Sequence, residues 1–458
     1  MQELSNHLPR ERPRRPFPAW TLALTLVAAG ARDGSPESTG RAEPAGAARV
    51  TIRVERALAH PIPATTSGAI AVGNLESRVR AVEARLARRA DDPRAIADLT
   101  DLLLARAQYL GRLGDYERAA RLSEQLVSVS PADSRSWLVR AAARAALHEF
   151  EGALADLARA EALGASRAAV AAARADILDA SGQTESAVAL REEVAVRRPT
   201  ITTLAALATS RALAGQESEA NVLFARALAS YRDVSPFPVA WLLVQRGLAW
   251  ERAGDLDDAR AAFALAHERL PAYAAAASGL ARLTAADGDH LGAAAILRGL
   301  TATSDDPEYV GQRAGELHAV GEAEEADRLR AEAARALDTL VARYPDAFIA
   351  KQVRFWLGPG VDPDRGFTLA RRYLAARGST PPALAPRRRG RARGPEGQRD
   401  APSILTDGSR SHRLSAATRR VPRRRPRPAC GCRRRAPAPR RARRPAARTR
   451  SGSRCSRR

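Results

Sequence analysis

The first 429 residues of this 458-residue chain contain no cysteine; Cys430, Cys432 and Cys455 all stand near the C-terminus. That excludes a disulfide framework through the body of the protein, and two close cysteines without a spaced second pair fall short of a zinc pattern. Lysine occurs once, as Lys351, against 73 arginines, the bias of a GC-rich gene. Aromatic residues are 4% of the chain and none follows Tyr373. The N-terminal apolar run Ala19 to Gly30 stops at twelve residues, short of the roughly 20 that cross a bilayer. Catalytic groupings are lacking too. His148, His267, His290 and His318 are far apart, without the i,i+4 pairing of a metalloprotease helix. Glycines come singly and build no phosphate cradle. Asp176 and Asp179 share a helix face, but nothing nearby in sequence would split their titrations, so they read as solvated carboxylates. Neither enzymatic activity nor a cofactor or metal is expected.

What the chain does have is a period. Gly114/Ala119, His148/Ala153, Gly182/Ala187, Gly215/Ala220, Gly254/Ala259, Gly288/Ala293 and Gly321/Ala326 succeed one another at steps of 34, 34, 33, 39, 34 and 33 residues. Such a step belongs to stacked helix-turn-helix units. Seven residues before each turn position stand Ala107, Ala141, Ala175, Ala208, Gly247, Ala281 and Ala314, all small, as close helix packing requires. Seven beyond each alanine stand Leu126, Ala160, Val194, Ala227, Ala266, Leu300 and Ala333, all apolar.

These residues resemble the tetratricopeptide repeat family, with a small residue in helix A, Gly-Asp at the turn, alanine in helix B and proline after it. Gly114-Asp115-Tyr116 and Gly254-Asp255-Leu256 match the turn; Pro131, Pro199 and Pro271 match the terminal proline. Trp137 falls on the helix A tryptophan, and Phe224 and Phe263 on the helix B aromatic. His148 departs from the turn glycine, and four units lack the proline. The resemblance implies an all-α, right-handed superhelical solenoid of about seven to eight repeats, with a concave wall lined by helix A. In this register the wall comprises Gln108, Arg112, Arg135, Asp176, Thr209, Trp241, Arg252, Arg282 and His318. Trp241 is the wall's natural anchor for a partner, or else packs against Phe237. Family members that grip a peptide carboxylate use a lysine and an asparagine where this chain has Leu104/Gln108 and Leu138/Ala142, so that clamp is absent.

Local chemistry supports the helices. Ala240 to Arg252 and Asp255 to Arg269 carry apolar residues at three- and four-residue spacing with no internal proline. Glycine is expected to close each first helix in the left-handed conformation, and the aspartate after it to cap the second. The 39-residue step holds an insertion, Tyr231 to Pro238, whose two prolines cannot continue a helix. It reads as a longer connection, or as a contact loop presenting Tyr231 and Phe237.

The ends differ from the middle. Residues 1–31 place Arg10, Arg12, Arg14 and Arg15 ahead of the apolar run and Ala29-Gly30-Ala31 after it, the layout of a secretory signal peptide. A retained N-terminal helix in a cytoplasmic protein is the alternative to a periplasmic or secreted one. Residues 32–74, rich in Pro, Gly, Ser and Thr, read as a flexible linker; 75–93 as a capping helix; 94–345 as the repeat array; and 346–378 as a partial additional helix pair. Residues 379–458 carry 26 arginines and three acidic residues, the whole net charge of +23. Such a tail cannot bury enough apolar surface to offset ordering and is expected to be disordered. It is either an arm for nucleic acid or another polyanion, binding without base stacking, or the out-of-frame translation of a GC-rich gene. The fold thus points to a non-catalytic scaffold that holds a peptide or helix of another protein, and the tail to a polyanion.

Overall fold

The computed structural model describes residues 45–58 and 60–376, all within one compact unit. Residues 1–31 and 379–458, with the three cysteines, lie outside the described residues. Among those described there are 18 α-helices and no strand. Two helices precede the array, α1 (Ala45–Leu58) and α2 (Gly68–Arg88). Eight antiparallel hairpins follow: α3 (Pro93–Leu110) with α4 (Leu113–Val129), α5 (Ser134–Ala146) with α6 (Phe150–Ala162), α7 (Arg167–Ala180) with α8 (Thr184–Arg197), and α9 (Ile201–Leu213) with α10 (Glu217–Ser230). Then come α11 (Pro236–Ala253) with α12 (Leu256–Arg269), α13 (Ala274–Ala286) with α14 (His290–Thr301), α15 (Pro307–Ala319) with α16 (Ala323–Arg343), and α17 (Pro345–Leu357) with α18 (Pro363–Ala376). Each hairpin packs on the next.

The three periodic columns are the reason. The helix A column from Ala107 to Ala314, the helix B alanines from Ala119 to Ala326 and the apolar column from Leu126 to Ala333 are buried in all seven units. Tiny side chains bring the helices of a hairpin together, and the third column covers the next hairpin. One residue before the first column, a recurrent arginine ties neighbours further. Arg106 bonds Glu76 of α2 (2.8 Å), Arg140 bonds Glu124 of α4 (2.7 Å), Arg174 bonds Glu161 of α6 (3.2 Å) and Arg246 bonds Glu217 of α10 (2.9 Å).

The turns obey the glycine expectation with one shift. Gly182, Gly215, Gly254, Gly288 and Gly321 have φ between 80° and 92°, and His148 replaces glycine at φ 60°. In the first hairpin Gly111 takes that role (φ 65°), and Gly114 already lies inside α4. The aspartate caps need correction. Asp115 sits within α4 and bonds Arg106, and Asp255 makes no side-chain cap; only Asp289 does, accepting from the Gly292 amide.

Two further expectations change. The 32–74 segment is not a linker over its described part: α1 lies there, α2 begins at Gly68, and the intervening extended strap is bonded, with the Thr66 amide donating to Val234 O and Arg269 donating to Pro63 O. In the insertion, Pro236 and Pro238 open α11 instead of interrupting the chain, because the first helical turn has no use for their missing N–H groups. Tyr231 and Phe237 are buried, so they form no exposed contact loop.

Candidate interaction surface

In an open solenoid each unit touches only its neighbours. Here the first hairpins meet the last ones. Asp305, in the loop between α14 and α15, accepts from the amides of Leu113 and Gly114, while its own amide donates to Gly111 O (3.2 Å). Ser304 Oγ donates to the same carbonyl (2.8 Å). One unit on, His148 Nδ1 lies 2.8 Å from Asp346 O, and Leu113, Leu147 and Phe348 share a small core. Arg343 pairs with Glu117. The hydrogen bonds among these contacts join residues separated by 191 to 198 positions, so the array comes back on itself after nearly six hairpins.

The return closes much of the expected groove. Tyr109 of α3 packs on Phe237 of α11 (ring centroids 4.8 Å apart) and on Tyr273 at the start of α13 (5.0 Å), so inner faces of the first, fifth and sixth hairpins touch. α11 is buried at every residue from Pro236 to Trp250. Trp241 is 4% exposed and Thr209 5%, with the Thr209 hydroxyl donating to Ala205 O. Neither can line an open wall, so the reading of Trp241 as a partner anchor is corrected: it is core.

Asp176 is also buried, at 6% exposed, which corrects its reading as a solvated carboxylate. Arg191 bonds both Asp176 (3.2 Å) and Asp179 (2.8 Å). Burial pushes the Asp176 carboxyl up to about 6 against the pull of that arginine. Beside it is a cavity of about 10 Å³, too small for any ligand beyond a water.

The remaining wall residues meet solvent. Arg135 spans to Asp98 and Asp101 on α3, and Arg282 makes a two-pronged pair with Glu251 on α11 (2.7 and 2.6 Å). Both rivet adjoining A helices. Gln108 is half-buried. Arg112, Arg252 and His318 are exposed, each where a helix A runs into its turn. No carboxylate among the described residues stands within ion-pairing distance of Arg112 or Arg252. Crowding by surrounding protein lowers the Arg252 pKa from the ordinary arginine value.

One cluster escaped the sequence reading. The single lysine, Lys351 on α17, bonds Asp306, which caps α15, and Glu308 (3.1 Å), while Arg354 bonds Glu308 (2.8 Å). Burial works against the Lys351 charge, but the two carboxylates outweigh it and lift its pKa above the usual lysine value. Burial works to raise Glu308 as well, yet Arg354 and Lys351 hold it down at about 2. A lysine kept protonated is no nucleophile. This cluster holds the last hairpins together beside the seam. Its members lie 45 residues apart, beyond any local spacing rule. The only trace in the sequence is the uniqueness of Lys351.

Among the described residues no group of three or more His, Cys, Asp or Glu is placed to hold a metal ion, and no helix is long and apolar enough to cross a membrane. No protein-family model matches the chain, and no curated protein does. Among solved structures it is similar to the APC/C hetero-tetramer Cut9-Hcn1, at 15% identity over 64% of this chain and 52% of that one, with a TM-score of 0.40. A tetratricopeptide repeat protein from Parabacteroides merdae gives 15% over 52% and 93% (TM-score 0.36), and the human IFIT1 dimer with PPP-AAAA gives 18% over 62% and 72% (TM-score 0.41). The chain thus spans about half the length of the first of these. Its own geometry places it: eight hairpins, left-handed turns on a step of about 34 residues and buried small residues on facing helices make a tetratricopeptide-like, all-α solenoid.

Proposed function

We propose that the protein is a non-catalytic interaction scaffold that holds a peptide or helix of another protein. The observation that carries this reading is the array itself: eight stacked hairpins, which present exposed side chains where successive A helices run into their turns. Arg112 and Arg252 supply positive charge that no described carboxylate meets at ion-pairing distance, and with Gln108 and His318 they suit an acidic stretch of partner. Arg135 and Arg282 contribute through their carboxylate pairs as a polar floor. Affinity purification of the full chain with mass spectrometry, run beside an Arg112→Glu, Arg252→Glu variant, tests this. Loss of a specific protein from the variant is expected; an identical captured set from both would overturn the assignment of these residues.

A second reading rests on the charge of residues 379–458, which can neutralise phosphates on a nucleic acid. Removing them should abolish DNA retention together with its salt dependence while leaving protein partners in place. Retention that survives the deletion refutes it. Export is proposed from residues 1–31 and is tested by N-terminal sequencing: an intact Met1 on cytoplasmic protein rules it out.

A further inference from the structure

The outer side of α12 differs from that of every other helix B from α4 to α16. Two and six residues beyond the buried alanine, these helices meet solvent: Arg121 and Gln125 in α4, Ala155 and Arg159 in α6, Arg328 and Glu332 in α16, with the same pattern in α8, α10 and α14. In α12 those positions are Ala261 and Leu265, and they are only 5% and 2% exposed. Helix α1 packs on α12 and, more lightly, on α10. It brings Val54 and Leu58, both buried, and the partly buried Val50 to the same core as Leu265, an apolar residue on every fourth position. Arg53, beside the middle one, bonds Asp258 and reaches Asp257 (3.5 Å) at the α12 N-terminus. Hence an apolar stripe and an acidic pair stand on the one outer face that the repeat pattern would leave wet.

α1 runs into the strap of residues 60–67, whose His60 and Ile62 amides donate back to Glu55 of α1, whose Ile62 side chain is buried in the main core, and which is tied to the array by the bonds of Thr66 to Val234 O and of Arg269 to Pro63 O. It makes no substantial contact with α2. A 14-residue helix on such a tether has little reason to stay helical once detached.

We infer that the outer face of α12 is a helix-docking site occupied in cis by α1, and that its trans ligand is an amphipathic partner helix with an apolar residue at every fourth position and an arginine beside the middle one. The helix-in-groove mode needs those elements: apolar anchors on one stripe and a charge that fixes register. The site is distinct from the inner wall, so its fate is independent of what Arg112 and Arg252 bind.

The probe is a fluorescent peptide of residues 45–67, added to the full chain. Val54→Asp unseats α1 and leaves α12 untouched, so the peptide should bind this variant at least tenfold more tightly than it binds wild type. Adding Asp258→Arg should remove that gain, and an Arg53→Glu peptide should recover part of it. Equal binding to wild type and to a Val54→Asp protein that still melts cooperatively overturns the inference. Native-state hydrogen exchange of wild type gives a second measurement: amides of 45–58 should exchange through an opening that leaves α11 and α12 protected. Exchange of α1 only together with α12 overturns the inference whether or not the variant folds.

Discussion

At the turn of the second hairpin a histidine does what glycine does elsewhere. His148 takes the left-handed conformation at some steric cost, stacks on Phe150 at 5.0 Å and reaches Asp346 across the seam. Two effects of His148→Gly therefore oppose each other: relief of backbone strain worth about 1 kcal/mol, and loss of a ring that bridges residues far apart in sequence. His148→Ala keeps the strain and loses the bridge, so it should be the less stable of the two by roughly 1 kcal/mol, read as the difference in urea midpoints. If alanine equals or exceeds glycine there, the left-handed turn is not the constraint. Titration supplies a second test. With the Asp176 carboxyl near 6 in the fold and about 3.9 in the unfolded chain, the folded state holds an extra proton between these values. Stability from this group therefore rises as pH falls from 7 towards 4. Asp101, also pushed up to about 6 by burial, acts in the same window, but 36% of its side chain meets water, which weakens its share. Asp176→Asn leaves Arg191 its bond to Asp179. It should cost no more than about 1 kcal/mol at pH 7 and should flatten the pH dependence of the urea midpoint between pH 7 and 4. A loss of several kcal/mol at pH 7 would show that the charged pair is needed.

Among the elements, α12 shows what periodicity reveals and what it hides. Phe263 was legible as the helix B aromatic, and Gly247 as a member of the small column. The structure explains the match, since a Cβ on Gly247 would stand 3.0 Å from the Phe263 ring. Gly279 was not legible, because it lies two residues before its own column, yet its Cβ would come within 2.7 Å of the same ring. One aromatic thus sets two glycines on two different helices. Gly279→Leu should destabilise by about 1 to 3 kcal/mol through overpacking, and Phe263→Leu should recover part of that loss in the double variant. Additive losses in thermal melts would mean that ring and glycine do not compete for space. The columns were readable because each depends on contacts within a hairpin or between adjoining ones, at offsets that repeat. The wall was read less well: Trp241 and Thr209 have the right register, but α9 packs on α11, and α11 also meets α2 and α13 and sets Phe237 against Tyr109 of α3, contacts that no local period encodes.

For the whole array the deciding fact is the seam. A linear solenoid transmits a lesion only to the neighbouring repeat, because its stability is a sum of unit and nearest-neighbour terms. Here Asp305 binds the amides that begin α4, and Asp306, the next residue, is fixed by Lys351 from α17. The first hairpin and the last three are therefore coupled without being adjacent in sequence. Asp305→Ala removes the acceptor for Leu113 and Gly114 but leaves the Asp306 cap of α15 and the hairpin columns intact. Hydrogen exchange in this variant should quicken on both sides of the seam, over 111–120 and over 304–310, while α7 and α8, which lie away from it, keep their protection. Lys351→Met should have the larger effect, about 3 kcal/mol or more, because it leaves Asp306 without its cation. The two models differ in a single readout. If protection in the Asp305→Ala protein falls over 304–310 and is unchanged over 111–120, the turns of the superhelix touch without supporting each other, and the array behaves as a linear stack.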